Sequence, residues 1–282
     1  MTGLDALHLD GRTVRLCLQG GPIGAVDPVD GSATGVVPPL PLDPHVDLDK
    51  THVIDRCAPA APGQFAAMAG DIPRWAQDDV RHRMTLALED AWANSVRALR
   101  SHIDWGVGDA PLTARHGMAG QVLSGHASSL SIRAEAGVRR MLDAAARAGF
   151  ALTVMPTTNG YLQDNHPGRP PRLQEALAAA MEVLLGADNV RDPFFPFGSY
   201  DPLDSHRQAV LTAQLDPAKT VPIMTTAPAL VLTMCLTPGR TAAGEPADFS
   251  VIAANDWPDA ISPPSAARQI YRAGQPDKRK PA

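Results

Sequence analysis

Several polar side chains that bind metals or move protons follow apolar runs in this sequence. His45 and Asp47 lie two apart in Pro44-His45-Val46-Asp47. On a strand such residues point to the same face, so both can reach one cation, for which imidazole and carboxylate are ordinary ligands. Taken alone, the pair reads more readily as a turn carboxylate beside a surface histidine. His126 closes the run Val122-Leu123-Ser124-Gly125 and can bind a metal, hold an activated water, or satisfy a hydrogen bond in a core. Asp188, in Gly186-Ala187-Asp188-Asn189, can ligate and accept a proton, or cap a turn. His102 with Asp104, and Asn159, hold comparable positions. The aromatic run Phe194, Phe195 and Phe197 reads as packing, and Cys57 as an inert thiol.

Side chains so far apart in sequence need a scaffold that gathers them. Helical periodicity marks 77–99, where Val80, Met84, Leu88, Ala91, Trp92, Ser95 and Val96 recur at three- and four-residue steps. An Arg/Ala-rich amphipathic helix is expected over 132–148, stopped by Gly149, and an Ala-rich helix over 173–185 running straight into Gly186. Strands are expected over 99–104, 121–126 and 150–155, the last closed by Pro156, with a proline-rich extended entry from Val36 to a strand end at His45. Strands alternating with helices, each strand followed by polar residues, indicate an α/β chain whose site lies at the C-terminal strand ends. Residues 1–35 read as short β-structure with turns, and 247–252 and 268–272 are strand-like. The two chain ends are therefore expected to pair as one small β-subdomain (1–35 with 240–275) around a barrel-like domain over 36–239, with a flexible tail over 276–282.

Composition narrows the class. The chain has 282 residues, 44% hydrophobic and 20% charged, with a net charge of -5, which is a globular balance. Basic residues are scattered apart from Lys278, Arg279 and Lys280, which disfavours a nucleic-acid partner. Cys17, Cys57 and Cys235 show no CxxC spacing and read as reduced thiols of a cytoplasmic protein. The N-terminal residues lack a basic and apolar leader pattern, and no apolar run reaches the ~18 residues of a membrane helix.

Five stretches, taken in order, resemble motifs of the amidohydrolase superfamily, in particular its cytosine deaminase branch. P-H-V-D-L-D-K-T (44–51) is similar to the first-strand motif and L-R-S-H-I-D-W (99–105) to the second. V-L-S-G-H-A-S-S-L (122–130) resembles the sixth, V-M-P-T-T-N-G-Y-L-Q-D (154–164) the seventh, and G-A-D-N-V-R-D-P-F-F-P-F-G (186–198) the eighth, the most specific of the five. G-E-P-A-D-F (244–249) and Y-R-A-G (271–274) resemble the closing β-subdomain.

The resemblance implies a metal-dependent hydrolase of carbon–nitrogen bonds in small cyclic amidines or amides. It implies a TIM-like (β/α) barrel with one divalent metal, zinc or iron. By motif matching, His45, Asp47 and Asp188 would be metal ligands, Asp188 also the catalytic base. His126 would contact the attacking hydroxide or the substrate, with Asn189 and Asn159 as substrate contacts.

The sequence also departs from the family pattern. Asp47 stands where a second histidine is usual, and Asn189 where some relatives carry a second aspartate. The chain passes from Trp105 to Pro111 and directly into the sixth-strand motif. Strands 3–5, with a histidine ligand and a glutamate, are thus expected to be missing. About 190 residues separate Leu42 from Leu232, against ~250 for a typical closed barrel. The expected architecture is therefore a truncated or distorted barrel whose sheet edges are covered or pair in a homo-oligomer. The other expectation is a catalytically degenerate relative, its metal lost, that binds a ligand or requires a partner.

Overall fold

The backbone of β4 (Leu42–Val46) is buried at every residue, and it is the strand around which the polar stretches assemble. The computed structural model describes residues 2–57, 63–102, 123–126, 134–162, 172–231, 240–262 and 267–278. Asp104, Cys235, the 105–111 junction and the first residues of the expected 121–126 strand lie outside them.

β4 pairs in parallel with β5 (Ala98–Ser101), Leu42 opposite Ala98 and Val46 opposite Ser101. β6 (Leu123–Gly125), β7 (Ala151–Val154) and β8 (Glu182–Leu185) form a second parallel sheet. One parallel bridge, Val46 to Asp188, ties β4 to the end of β8. The strands thus run side by side as β5-β4-β8-β7-β6, and among the described residues β5 and β6 each pair on one side only. All four residues of β7 are buried, as in parallel strands covered on both faces.

Helices provide that cover. α1 (Gln64–Asp71) precedes α2 (Gln77–Ala93), whose Ala87 and Ala91 pack with Val46, Leu48 and Val96. α3 (Glu135–Arg147) sends Val138 and Leu142 onto Leu152, Val154, Val183 and Leu185. Burying such apolar side chains stabilises the fold by about 1.5–3 kcal/mol each. α4 (Pro156–Leu162) follows β7 directly, and α5 (Leu173–Ala178) leads to β8.

Two expectations need correction. Residues 173–185 are not one helix. Ala180 adopts a left-handed conformation (φ 55°), and Glu182–Leu185 pairs with β7 over four positions. Sheet pairing and burial of Val183, Leu184 and Leu185 override the local helix preference. A short strand therefore does precede Asp188. The helix expected over 77–99 ends at Ala93, because Ser95 turns left-handed (φ 71°) and Arg97 donates its backbone N–H to Pro41.

α6 (Pro202–Ala213) was not anticipated, although its start is written in the sequence. Asp201 accepts from the Leu203 N–H, and Pro202 occupies the first helical turn.

At the chain ends, β1 (Thr2–Leu7), β2 (Thr13–Leu18) and β3 (Ile23–Pro28) form an antiparallel meander. β9 (Phe249–Ile252), β10 (Arg268–Arg272) and β11 (Gln275–Pro276) form another. Bridges Pro22 to Pro246 and Val36 to Ile252 join the two ends, and Ala6, Leu16, Ile23, Ala247 and Phe249 share one apolar cluster. The tail expected from 276 is corrected at its head. Pro276 pairs with Tyr271, and Asp277 accepts from the Trp92 indole at 2.9 Å. No helix among the described residues is long and apolar enough to cross a membrane.

Candidate metal centre

His45 sits in a slot made by two glycines. A Cβ on Gly186 would lie 2.9 Å from both the Cβ and the carbonyl oxygen of His45, and a Cβ on Gly125 would lie 3.1 Å from its Cε1. The ends of β6 and β8 can thus close on the imidazole only because neither carries a side chain at that point.

Asp188 is fixed by its backbone. Its N–H donates to His45 O at 2.8 Å and its carbonyl accepts from Asp47 N–H at 3.1 Å, with φ at 61°. This aims a carboxylate with 1% exposure at two imidazoles. Asp188 Oδ1 lies 3.3 Å from His45 Nε2, and Oδ2 lies 3.7 Å from His126 Nε2. Neither oxygen accepts a hydrogen bond. A buried carboxylate without donors is costly, and a cation would satisfy it.

His126 is also left-handed (φ 59°), and its Nδ1 is 3.0 Å from Asn159 Oδ1. With Nδ1 donating to that carbonyl, the Nε2 lone pair is left for a ligand. One ligand atom each from His45, His126 and Asp188 lies within 4.8 Å of the others. Bonds of about 2.0–2.2 Å in a tetrahedral site put ligand atoms roughly 3.3–3.6 Å apart, close to the 3.3 and 3.7 Å separations from Asp188, so these residues fit a divalent cation.

His102 stacks on His45, with ring centroids 3.7 Å apart and planes at 19°. Burial pushes its pKa down to about 4, helped by the nearby His45 and Arg100. It stands outside the group of three, and its partner in sequence, Asp104, is outside the described residues.

Asp47 is likewise not in that group. Its Oδ2 accepts from Lys50 Nζ at 2.8 Å, and burial, with the charge of Asp188, raises its pKa above the usual carboxylate range. Asn189 donates from Nδ2 to Asp192 Oδ2 at 2.7 Å. Asp192 also accepts from the backbone of Phe194 and Phe195, and burial pushes it up to about 6. Asn159 keeps a buried Nδ2 with no hydrogen-bond partner.

Asp43 was overlooked in the sequence. It is 3% exposed, accepts from the backbone of His45 and Ala187, and is pushed by burial up to about 7. Its signal was a carboxylate inside the apolar run Leu40-Pro41-Leu42-Asp43-Pro44.

Comparison with known proteins places the fold. A pterin deaminase of Rhizobium rhizogenes (strain K84 / ATCC BAA-868) is 37% identical over 174 residues, covering 59% of this chain and 40% of that protein. The chain thus spans well under half the length of this curated relative. The structure of 5-methylcytosine deaminase from Klebsiella pneumoniae, liganded with 5-fluorocytosine, superposes with a TM-score of 0.83 at 14% identity, covering 98% of this chain and 97% of that one. N-isopropylammelide isopropylaminohydrolase from Burkholderia multivorans superposes with a TM-score of 0.76 at 16% identity, covering 98% of each chain. At such identities the likeness is one of fold, an α/β architecture of the TIM-barrel type. The model of the amidohydrolase family matches residues 107–276, more than half of the sequence, and the chain belongs to that family.

Proposed function

We propose that this chain hydrolyses a carbon–nitrogen bond of a small cyclic amidine or amide, of the aminopyrimidine or pterin kind, with one divalent metal, zinc or iron. The observation that carries the reading is the buried, donor-free carboxylate of Asp188 set between His45 Nε2 and His126 Nε2. His45, His126 and Asp188 would hold the metal. When bound, such an ion supplies a Lewis acid that acidifies water near neutral pH.

The protein's own groups do the rest. Asp188 offers a second carboxylate oxygen, which takes the proton of the attacking water and returns it to the departing nitrogen. Asn159 holds His126 in one tautomer through Nδ1 and leaves its own Nδ2 to donate to the substrate ring. Burial of β4, β7 and β8 keeps bulk water from the carboxylate. The pterin deaminase relative and the deaminase fold support this class of substrate.

The test is metal content by elemental analysis, before and after zinc or iron reconstitution, with ammonia release from pterin, cytosine and related rings. About one metal per chain with turnover supports the reading. A chain that takes up no metal and turns over none of the panel sinks it. A second reading, a degenerate relative that binds without catalysis, is favoured by one observation: Asp47, which stands where a second histidine is usual, lies outside the group of three candidate ligands. Full metal occupancy without turnover selects that reading.

A further inference from the structure

We infer that Asp43 is the positioning residue of this centre, a single carboxylate that sets the two strand ends carrying His45 and Asp188 against each other. The inference rests on the metal-centre reading above. One carboxylate oxygen accepts the backbone N–H of His45 at 3.1 Å and that of Ala187 at 3.3 Å, and the other accepts Ala187 N–H at 3.1 Å. The first donor belongs to a proposed ligand, and the second is the residue before another. Asp43 thus grips both sides of the gap that a cation would bridge.

The backbone ties that gap at a single point, the bridge whose two hydrogen bonds join His45 and Asp47 to Asp188. β4 and β8 share a single bridge, Val46 to Asp188. On its other side β4 loses register with β5 between Asp43 and Val46, where Pro44 has no N–H to give. The Asp43 side chain provides the acceptor that the His45 N–H needs in this buried setting. A carboxylate buried in a strand is itself costly, and these amide contacts offset the cost. It touches no reacting atom and acts through the two residues it holds, as outer partners of metal ligands do.

Asp43→Asn keeps the side-chain volume but offers only one acceptor oxygen. Zinc affinity is measured by competition with a chelating dye, on protein shown to be folded by circular dichroism. Backbone hydrogen exchange is followed in the metal-free protein. In Asp43→Asn the expected results are zinc binding weakened about 10–100-fold and exchange at His45 or Ala187 at least about tenfold faster, with β1 and β2 unchanged. Asp43→Ala is expected to be worse in both, and the Asn variant carries the test if the Ala variant does not fold. Folded Asp43→Asn with wild-type zinc affinity overturns the proposal, whatever its melting temperature. A wild-type chain that takes up no zinc sinks the metal reading instead, and the exchange rates alone then decide whether Asp43 clamps the two strand ends.

Discussion

Asp188 Oδ1 lies 3.3 Å from His45 Nε2, yet neither oxygen of that carboxylate is hydrogen-bonded. The metal-free protein therefore buries a carboxylate that accepts no hydrogen bond, and stability and ligand binding are set against each other at this residue. Asp188→Asn is expected to raise the melting temperature of chelator-treated protein, by the equivalent of about 1–3 kcal/mol, because Asn accepts the same left-handed backbone. The same change is expected to weaken zinc binding by more than about 100-fold. Melting curves with chelator and with zinc check both halves, and a variant destabilised without metal contradicts the account.

Asn159 would act on a bound metal through His126. Asn159→Leu removes the Nδ1 partner and frees the imidazole to change tautomer. Zinc affinity is expected to fall about 10–100-fold, and a dye-competition titration measures it. An unchanged affinity would show that the His126 ring is fixed by its packing instead.

The glycine slot makes an ordered prediction. Gly186→Ala meets the Cβ and backbone oxygen of His45 at 2.9 Å, and the backbone oxygen cannot swing aside. Gly125→Ala meets only the ring edge, at 3.1 Å, and the ring can give. Overpacking costs typically ~1–3 kcal/mol, and Gly186→Ala should sit at or above the top of that range. Urea unfolding of the two variants tests the order, which equal stabilities would refute.

Acid should act through His206, far from the centre in sequence. It is fully buried on α6, its Nε2 3.0 Å from Thr220 Oγ1, and burial pushes its pKa down to about 4. Its pKa is depressed on folding, so the unfolded chain binds the proton more readily. The contribution of neutral His206 is present above about pH 6.5 and is lost as pH falls towards 4. The loss over that window is up to ~3 kcal/mol. Buried Asp43 and Asp192 have raised pKa values and push the other way, gaining stability as pH falls. The comparison that isolates His206 is His206→Gln against the wild type. The difference in urea midpoint should shift in favour of Gln between pH 7 and 4.5, and a constant difference would rule the histidine out.

Much of the site could be read from residue types, because the chemistry of His45, His126 and Asp188 and their places after apolar strands are properties of the sequence. Their convergence on one point is a property of the strand order β4-β8-β7-β6, and only the order of the motifs hinted at it. Asp47 shows the limit of spacing arguments. It shares a strand end with His45, yet a lysine three residues on in sequence takes its carboxylate. The strand before Asp188 was hidden because helix preference in 173–185 is local while its pairing with β7 is not. Asp43 escaped notice because no periodicity marks a side chain that bonds backbone from two distant segments.

The Lys50–Asp47 contact at 2.8 Å also bears on the sum of charges at the proposed centre. Two neutral imidazoles and one carboxylate would leave a bound dication with a residual unit of positive charge. A second anionic donor would have cancelled it and blunted the ion's pull on a water proton. By engaging Asp47, the lysine would keep that competitor from the ion, so an acid in place of the usual second histidine would leave the proposed centre its strength as a Lewis acid.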